Sequence, residues 1–172
     1  TTPSSGGGGV PYTGATGAVD LGAYNLKVHG LTVGKGGGSG TNFASNTALG
    51  IYALLSNTSG SGNTGIGYFA LYGNTTGANN SANGRSALQA NKTGSDNTAT
   101  GYQALFRNTT GSDNTALGIY ALLSNTSGSG NTGIGYQTLN LNTVGTYNTA
   151  IGYDADVASV GLTNATAIGN GA

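Results

Sequence analysis

The residues able to do chemistry are few. The chain has five carboxylates, Asp20, Asp96, Asp113, Asp154 and Asp156, and no Glu. Asp96 and Asp113 stand 17 residues apart, and Asp154 and Asp156 stand two apart. Stacked Asp side chains can share a Ca²⁺ ion with turn carbonyls. Asp is equally a turn-forming residue, and a frayed last repeat accounts for the second pair as well. The single His, His29, has only Asp20 near it in sequence, there is no Cys, and the Ser residues sit mostly in turn-like segments. A nucleophile, base and orienting acid cannot be assembled from these. No catalytic residue, cofactor or metal site is expected, and the chain is not read as an enzyme. Arg85 and Asn83 interrupt otherwise apolar positions, as a local irregularity or as a lateral polar contact. Asn-x-Ser/Thr sequons at Asn57, Asn74, Asn79, Asn91, Asn108, Asn125 and Asn164 are either glycan acceptors or by-products of a repeated turn sequence.

What positions these residues is a repeat. Gly recurs every 17 residues at Gly50, Gly67, Gly84, Gly101, Gly118, Gly135, Gly152 and Gly169. Asn stands four residues before it, from Asn46 to Asn148, with the eighth copy displaced to Asn164. Thr or Ser follows that Asn, and Leu stands four after the Gly from Leu54 to Leu139, giving way to Asp156. A second Gly (Gly60 to Gly145) marks a far turn, and a second Asn (Asn57 to Asn142) precedes it. A longer duplication is superimposed: Asn46–Tyr68 is identical to Asn114–Tyr136, four copies on. Spacing that never slips implies that each copy occupies the same geometry.

Seventeen residues are too few for a helix pair and suit one coil of a parallel β-solenoid. "NTALGIYA" alternates as a strand does, "YALL" or "YQAL" is expected to form a second short strand, and "NTSGSG" or "NTTGSD" is turn chemistry. The fold expected is all-β, a parallel β-solenoid of about eight coils, with a thin core of Leu and Ile and with ladders of Asn and Thr. One column holds Ile51, Tyr68, Tyr102, Ile119, Tyr136 and Tyr153. Its tyrosines, Tyr68, Tyr102, Tyr136 and Tyr153, are the candidate site: a stripe for lateral packing or for a ligand such as a carbohydrate, because aromatic rings present flat apolar area with a polar tip. Such columns pack several coils around an axis, or they cover the flank of a monomer.

"NTAIGYDA" and "NATAIGNGA" resemble the repeats of YadA-like adhesin heads, in which an Asn/Ser-x-Ala-Ile-Gly motif builds trimeric left-handed parallel β-rolls. "NTATGYQALFRNTTGSDN" resembles repeats of phage tail-fibre and large bacterial surface proteins, and "VPYTGATGAVDLGAYNLKVHGLTVG" resembles a connector upstream of such repeats. Adhesin-head repeats are a few residues shorter. The resemblance implies a passive fibre or adhesin without catalytic residues, at a cell surface, in an extracellular filament or on a virion.

Residues 1–41 are read as a Gly-rich connector or cap with short strands, and 42–172 as the solenoid. Within the first segment Val19 and Leu21, Leu26 and Val28, and Leu31 and Val33 alternate with polar or small residues. If Ala172 ends the mature chain, an uncovered last coil would receive another copy and extend without closing; if not, a following domain would cover it. The formal net charge of zero gives no electrostatic footprint for nucleic acid, and no apolar run is long enough for a membrane span. The expected function is structural: a tail-fibre or adhesin shaft, or a filament, self-associating as a homotrimer or head-to-tail polymer, with a host or cell-surface glycan as a second kind of partner. The alternative is a ligand-binding solenoid for ice, suggested by the Thr columns, or for glycan.

Overall fold

The computed structural model describes residues 26–28, 31–34, 45–157 and 159–172. His29, Val19, Leu21 and the boundary between the expected connector and solenoid lie outside the described residues. Among the described residues, ten strands form one sheet in chain order. β1 (Leu26–Val28) and β2 (Leu31–Gly34) pair antiparallel. β3 (Thr47–Leu49), β4 (Thr64–Ile66), β5 (Ser81–Asn83), β6 (Thr98–Thr100), β7 (Thr115–Leu117), β8 (Thr132–Ile134), β9 (Thr149–Ile151) and β10 (Thr166–Ile168) follow. From β3 onward every pairing is parallel, and each residue lies beside its equivalent 17 positions on: Thr47 by Thr64, Ala48 by Gly65, Leu49 by Ile66. The chain is an all-β parallel solenoid, as the repeat requires. β2 pairs antiparallel with β3 through Val33 and Leu49, extending the sheet past the first coil.

Each coil contains one three-residue strand, not two. The "YALL" and "YQAL" segments are corners. Tyr52 and Leu54 have φ of 63° and 53°, and the pattern recurs at Gln103 and Leu105 (55° and 50°). Left-handed residues at alternate positions cannot continue an extended strand. The turn is closed by the Ala53 amide, which donates to the Gly50 carbonyl at 3.3 Å. Stacking nevertheless continues through the corner: the Leu54 amide donates to the Ala70 carbonyl of the next coil at 3.0 Å, and the Ser56 amide to Tyr72 at 3.1 Å.

The core also differs from the expected Leu and Ile mixture. The strand turns Asn46 and Ala48 inward and Thr47 outward, so the Leu/Ile column from Leu49 to Ile168 faces outward; Leu117 is 48% and Ile168 66% exposed. Inside lie the Ala column of the strand, the Ala53–Ala155 column and one Leu per coil, Leu54 to Leu139. That Leu is buried although its backbone is left-handed. The strain of roughly 1–2 kcal/mol is offset by burial worth about 1.5–3 kcal/mol. The Gly50 column is Gly for a steric reason: φ is +143° there, and a Cβ would stand 2.5 Å from the Gly67 carbonyl oxygen.

Two buried Asn ladders close the far side. In the first, Asn80 donates through its backbone N and its Nδ2 to Asn63 Oδ1 at 2.9 and 3.1 Å. In the second, Asn91 Nδ2 donates to Asn74 Oδ1 at 2.7 Å. They converge, because the Gly94 carbonyl accepts from both Asn80 Nδ2 and Asn91 Nδ2, each at 2.9 Å. The same convergence occurs at Gly60, Gly77, Gly111, Gly128 and Gly145. Amides buried this way have their donors and acceptors met by the adjacent coils, except at the end of the second ladder, where Asn142 Oδ1 has no partner. Among the described residues, no helix is long and apolar enough to cross a membrane.

Candidate interaction face

Two outward columns of the strand and two of the following corner form a single face. The first is Thr/Ser, Thr47 to Thr166. The second is Leu49, Ile66, Asn83, Thr100, Leu117, Ile134, Ile151 and Ile168. The third is Ile51, Tyr68, Arg85, Tyr102, Ile119, Tyr136 and Tyr153. The fourth lies at the next residue, where strand alternation would point inward. Its left-handed backbone alters that alternation, and Tyr52, Phe69 and Tyr120, with φ of 63°, 59° and 60°, join the aromatic stripe.

The four tyrosines expected from sequence thus belong to a larger aromatic ladder. Tyr68 packs on Phe69 with ring centroids 4.2 Å apart, and Phe69 stacks on Tyr52 at 5.0 Å. Farther on, Tyr102 meets Tyr120 at 5.4 Å, Tyr120 meets Tyr136 at 6.2 Å, and Tyr136 stacks on Tyr153 at 5.0 Å with 14° between planes. Arg85 joins the two groups, with its guanidinium carbon 5.7 Å from the ring centres of both Tyr68 and Tyr102. Each such contact is worth about 0.5–1 kcal/mol at an exposed site. The residues missed by sequence reasoning are Tyr52, Phe69 and Tyr120, and the role of Arg85 as a link. The recurrent aromatic directly after the third column, at Tyr52, Phe69 and Tyr120, is the signal that could have revealed them.

The face is segmented. Coils one and two present Leu49, Ile51, Tyr52, Ile66 and Tyr68. Coils three and four are polar at Asn83, Arg85 and Thr100. From coil five the apolar surface returns with Leu117, Ile119, Ile134 and Tyr136. Tyr153 is 58% exposed.

The other candidate residues fall elsewhere. Asp96 and Asp113 sit on an exposed corner with φ of 58° and 60°, and Asp96 Oδ1 accepts from Asn79 Nδ2 at 3.1 Å. This is the geometry of turn formers. Asp156 occupies the core Leu column. Its Oδ2 accepts from the Leu141 amide at 2.9 Å and its Oδ1 from the Val157 amide at 2.8 Å. Burial pushes its pKa above the ordinary carboxyl range, the nearby charge of Asp154 adds to this, and the backbone hydrogen bonds oppose it. Both carboxylates border a shallow groove of 520 Å³ with Asn140, whose buried Oδ1 lacks a hydrogen-bond partner. Among the described residues no three His, Cys, Asp or Glu side chains gather as a metal site. The sequons separate cleanly. Asn57, Asn74, Asn91, Asn108 and Asn125 are fully buried in the second ladder, whereas Asn79 and Asn164 are exposed at left-handed corners.

No family model, curated protein or solved structure matches this chain.

Proposed function

We propose that this chain is a non-catalytic fibrous structural protein: the shaft of a tail fibre or surface adhesin, or the subunit of an extracellular filament, self-associating through its aromatic and aliphatic face. The observation that carries the reading is the combination of an in-register stack along the whole repeat array with two apolar segments of one outward face, in the first two coils and from the fifth coil onward, that a single copy leaves exposed. A stack of identical rungs transmits load along its axis through hydrogen bonds that recur every coil. Exposed apolar surface of this extent marks an interaction site. The rings favour protein packing over sugar stacking, since Tyr136 and Tyr153, like Tyr52 and Phe69, already turn ring faces toward each other. The setting that suits such a molecule is a cell surface, a filament or a virion.

Electron microscopy of the purified chain, with sedimentation over a range of concentrations, tests this. Rods or threads that lengthen or thicken with concentration are the expected result. A chain that remains a single short particle at every concentration refutes it. Ice binding is the second reading, favoured by one observation: the outward Thr/Ser column presents a hydroxyl at each rung of a regular sheet. Thermal hysteresis in dilute solution separates the two.

A further inference from the structure

The outward face carries two charges among its described side chains, and their positions specify a register. Arg85 lies in the third coil and Asp154 in the seventh, while every other position of the four columns is apolar or uncharged. Four coils separate them, about 19 Å at the usual strand spacing, so they do not pair within one copy. Four coils is also the offset of the internal duplication, in which Asn46–Tyr68 recurs as Asn114–Tyr136. A neighbour slid along the axis by four coils therefore meets Leu117, Ile119, Tyr120, Ile134 and Tyr136 where a neighbour in register would meet their duplicates Leu49, Ile51, Tyr52, Ile66 and Tyr68. Apolar matching is equivalent in the two registers for these coils, and the charges decide. In register, Arg85 faces Arg85 and Asp154 faces Asp154. With the four-coil slip, Arg85 faces Tyr153 and Asp154.

We propose that the occupant of this face is a second, parallel copy of the chain displaced by four coils, so that Arg85 of one copy meets Asp154 of the other. This rests on the filament reading above and deepens it. The contact is heterologous: one copy offers its first coils and the other its later coils. Copies ahead and behind lie eight coils apart, where β1 and β2 extend the sheet past the first coil, so propagation requires that hairpin to give way to the last coils of the next copy. Such a contact propagates rather than closes. The Arg85 guanidinium is held between Tyr68 and Tyr102, so its planar fork is oriented before association. Asp154 is exposed beside Tyr153 at a φ of 54°. As the face is covered, the opposite charges lose water together, which makes a matched pair favourable and a like pair costly.

The test is a charge swap on the full chain. Both residues are exposed, and Gln103 and Gln137 hold the backbone of Asp154 in other coils, so Arg85→Asp and Asp154→Arg leave the coil intact; circular dichroism verifies it. Each single variant is expected to raise the concentration needed for assembly by about tenfold. In an equimolar mixture of the two, the introduced Asp of one chain meets the introduced Arg of the other, and the retained Arg85 meets the retained Asp154, on alternate copies. The mixture is expected to return the concentration to within about threefold of the unaltered chain. Assembly that ignores the swaps, or that Arg85→Asp strengthens, overturns the four-coil offset and leaves the filament reading standing. An assembly that stops at two copies overturns the offset in favour of a closed antiparallel pair. An unaltered chain that never associates sinks both.

Discussion

Asn97 and Asn83 are the same residue type inside and outside the coil, and so are Leu105 and Leu117. Asn97 and Leu105 point inward and are fully buried; Asn83 and Leu117 point outward and are exposed. The inward columns scarcely vary along the array. Outward, the Thr/Ser column is kept, but the column from Leu49 changes among Leu, Ile, Asn and Thr within a few coils. An inward side chain has its own equivalents above and below as partners, so a change in one coil disturbs two others. An outward side chain meets solvent or a neighbouring molecule, and only that neighbour constrains it. The two sides thus divide the labour of folding and recognition.

The largest expected effect breaks a ladder from within. Asn97 Oδ1 accepts from the backbone N and the Nδ2 of Asn114 at 3.0 and 3.1 Å, and Asn97 Nδ2 donates to Asn80 Oδ1 and the Gly111 carbonyl. Asn97→Leu leaves the buried Asn114 amide without its acceptor, a loss of roughly 4 kcal/mol once the remaining network is disturbed. Asn83→Leu keeps stability within about 0.5 kcal/mol and promotes self-association by filling the polar gap in the stripe. Denaturant titration and light scattering of the two variants report the contrast. The aliphatic pair comes next: Leu105→Ala is expected to cost about 3 kcal/mol, whereas Leu117→Ala stays within about 0.5 kcal/mol and weakens assembly. Equal losses for the two Leu variants would mean that the outward column is part of a core, and the comparison would fail.

The period is legible because coil length is the one quantity a stacked fold cannot let drift, and the unbroken Gly50–Gly169 series displays it directly. The parallel sheet and the Asn ladders follow from that period. Which side of the strand faces inward is not legible. Three residues bounded by corners give too little alternation to read, and large Leu and Ile look more like core than Ala. The structure places Ala48, Ala82 and Ala99 inside, in a column where even a Cβ on Gly65 would lie 3.3 Å from the Ala70 carbonyl and 3.4 Å from Leu54 Cγ. The expected second strand fails for a related reason: Leu54 and its equivalents occupy left-handed φ, a conformation that a bulky residue adopts only when tertiary packing compels it. The same backbone feature hides half of the aromatic ladder. Tyr68, Tyr102, Tyr136 and Tyr153 lie in one column, but their ring partners Tyr52, Phe69 and Tyr120 are brought alongside by an irregularity that pattern alone does not announce.

A finer test lies within the inward side, where identical sequence meets different neighbours. Gly65 and Gly133 replace the usual inward Ala in the two duplicated blocks. A Cβ on Gly133 would stand 2.9 Å from Thr138 Oγ1, because Thr138 replaces the Ala found in that column elsewhere. A Cβ on Gly65 would lie 3.3 Å from the Ala70 carbonyl and 3.4 Å from Leu54 Cγ, close contacts in a column where other coils hold Ala. Gly133→Ala is therefore expected to cost about 1–2 kcal/mol. Gly65→Ala should stabilise by about 0.5 kcal/mol through the reduced freedom of the unfolded chain. Adding Thr138→Ala to Gly133→Ala should bring its effect close to that of Gly65→Ala. Opposite signs measured for the two single variants would place the cause in the immediate neighbour, not in the repeat.

The smallest expected effect concerns Asp156, where a charge has entered the inward Leu column. Its folded pKa lies above the ordinary carboxyl value of 3.8, chiefly through burial and secondarily through the charge of Asp154. A raised pKa means that the folded state binds the proton more tightly than the unfolded one, so between the two values the folded chain carries more protons and stability grows as pH falls. The penalty of the ionised form is present in full above the folded pKa and is gone below 3.8. Asp156→Asn keeps an oxygen to accept from the Leu141 amide while removing the charge, so it should flatten this part of the stability profile and raise stability at neutral pH. Asp96, on the exposed corner, supplies the control, since Asp96→Asn removes a carboxylate that no inward column contains. Thermal melts of the two variants across the acidic range decide the matter. If Asp96→Asn flattens the profile as much as Asp156→Asn does, the dependence belongs to the net charge of the chain, and the inward position of Asp156 has no special claim on it.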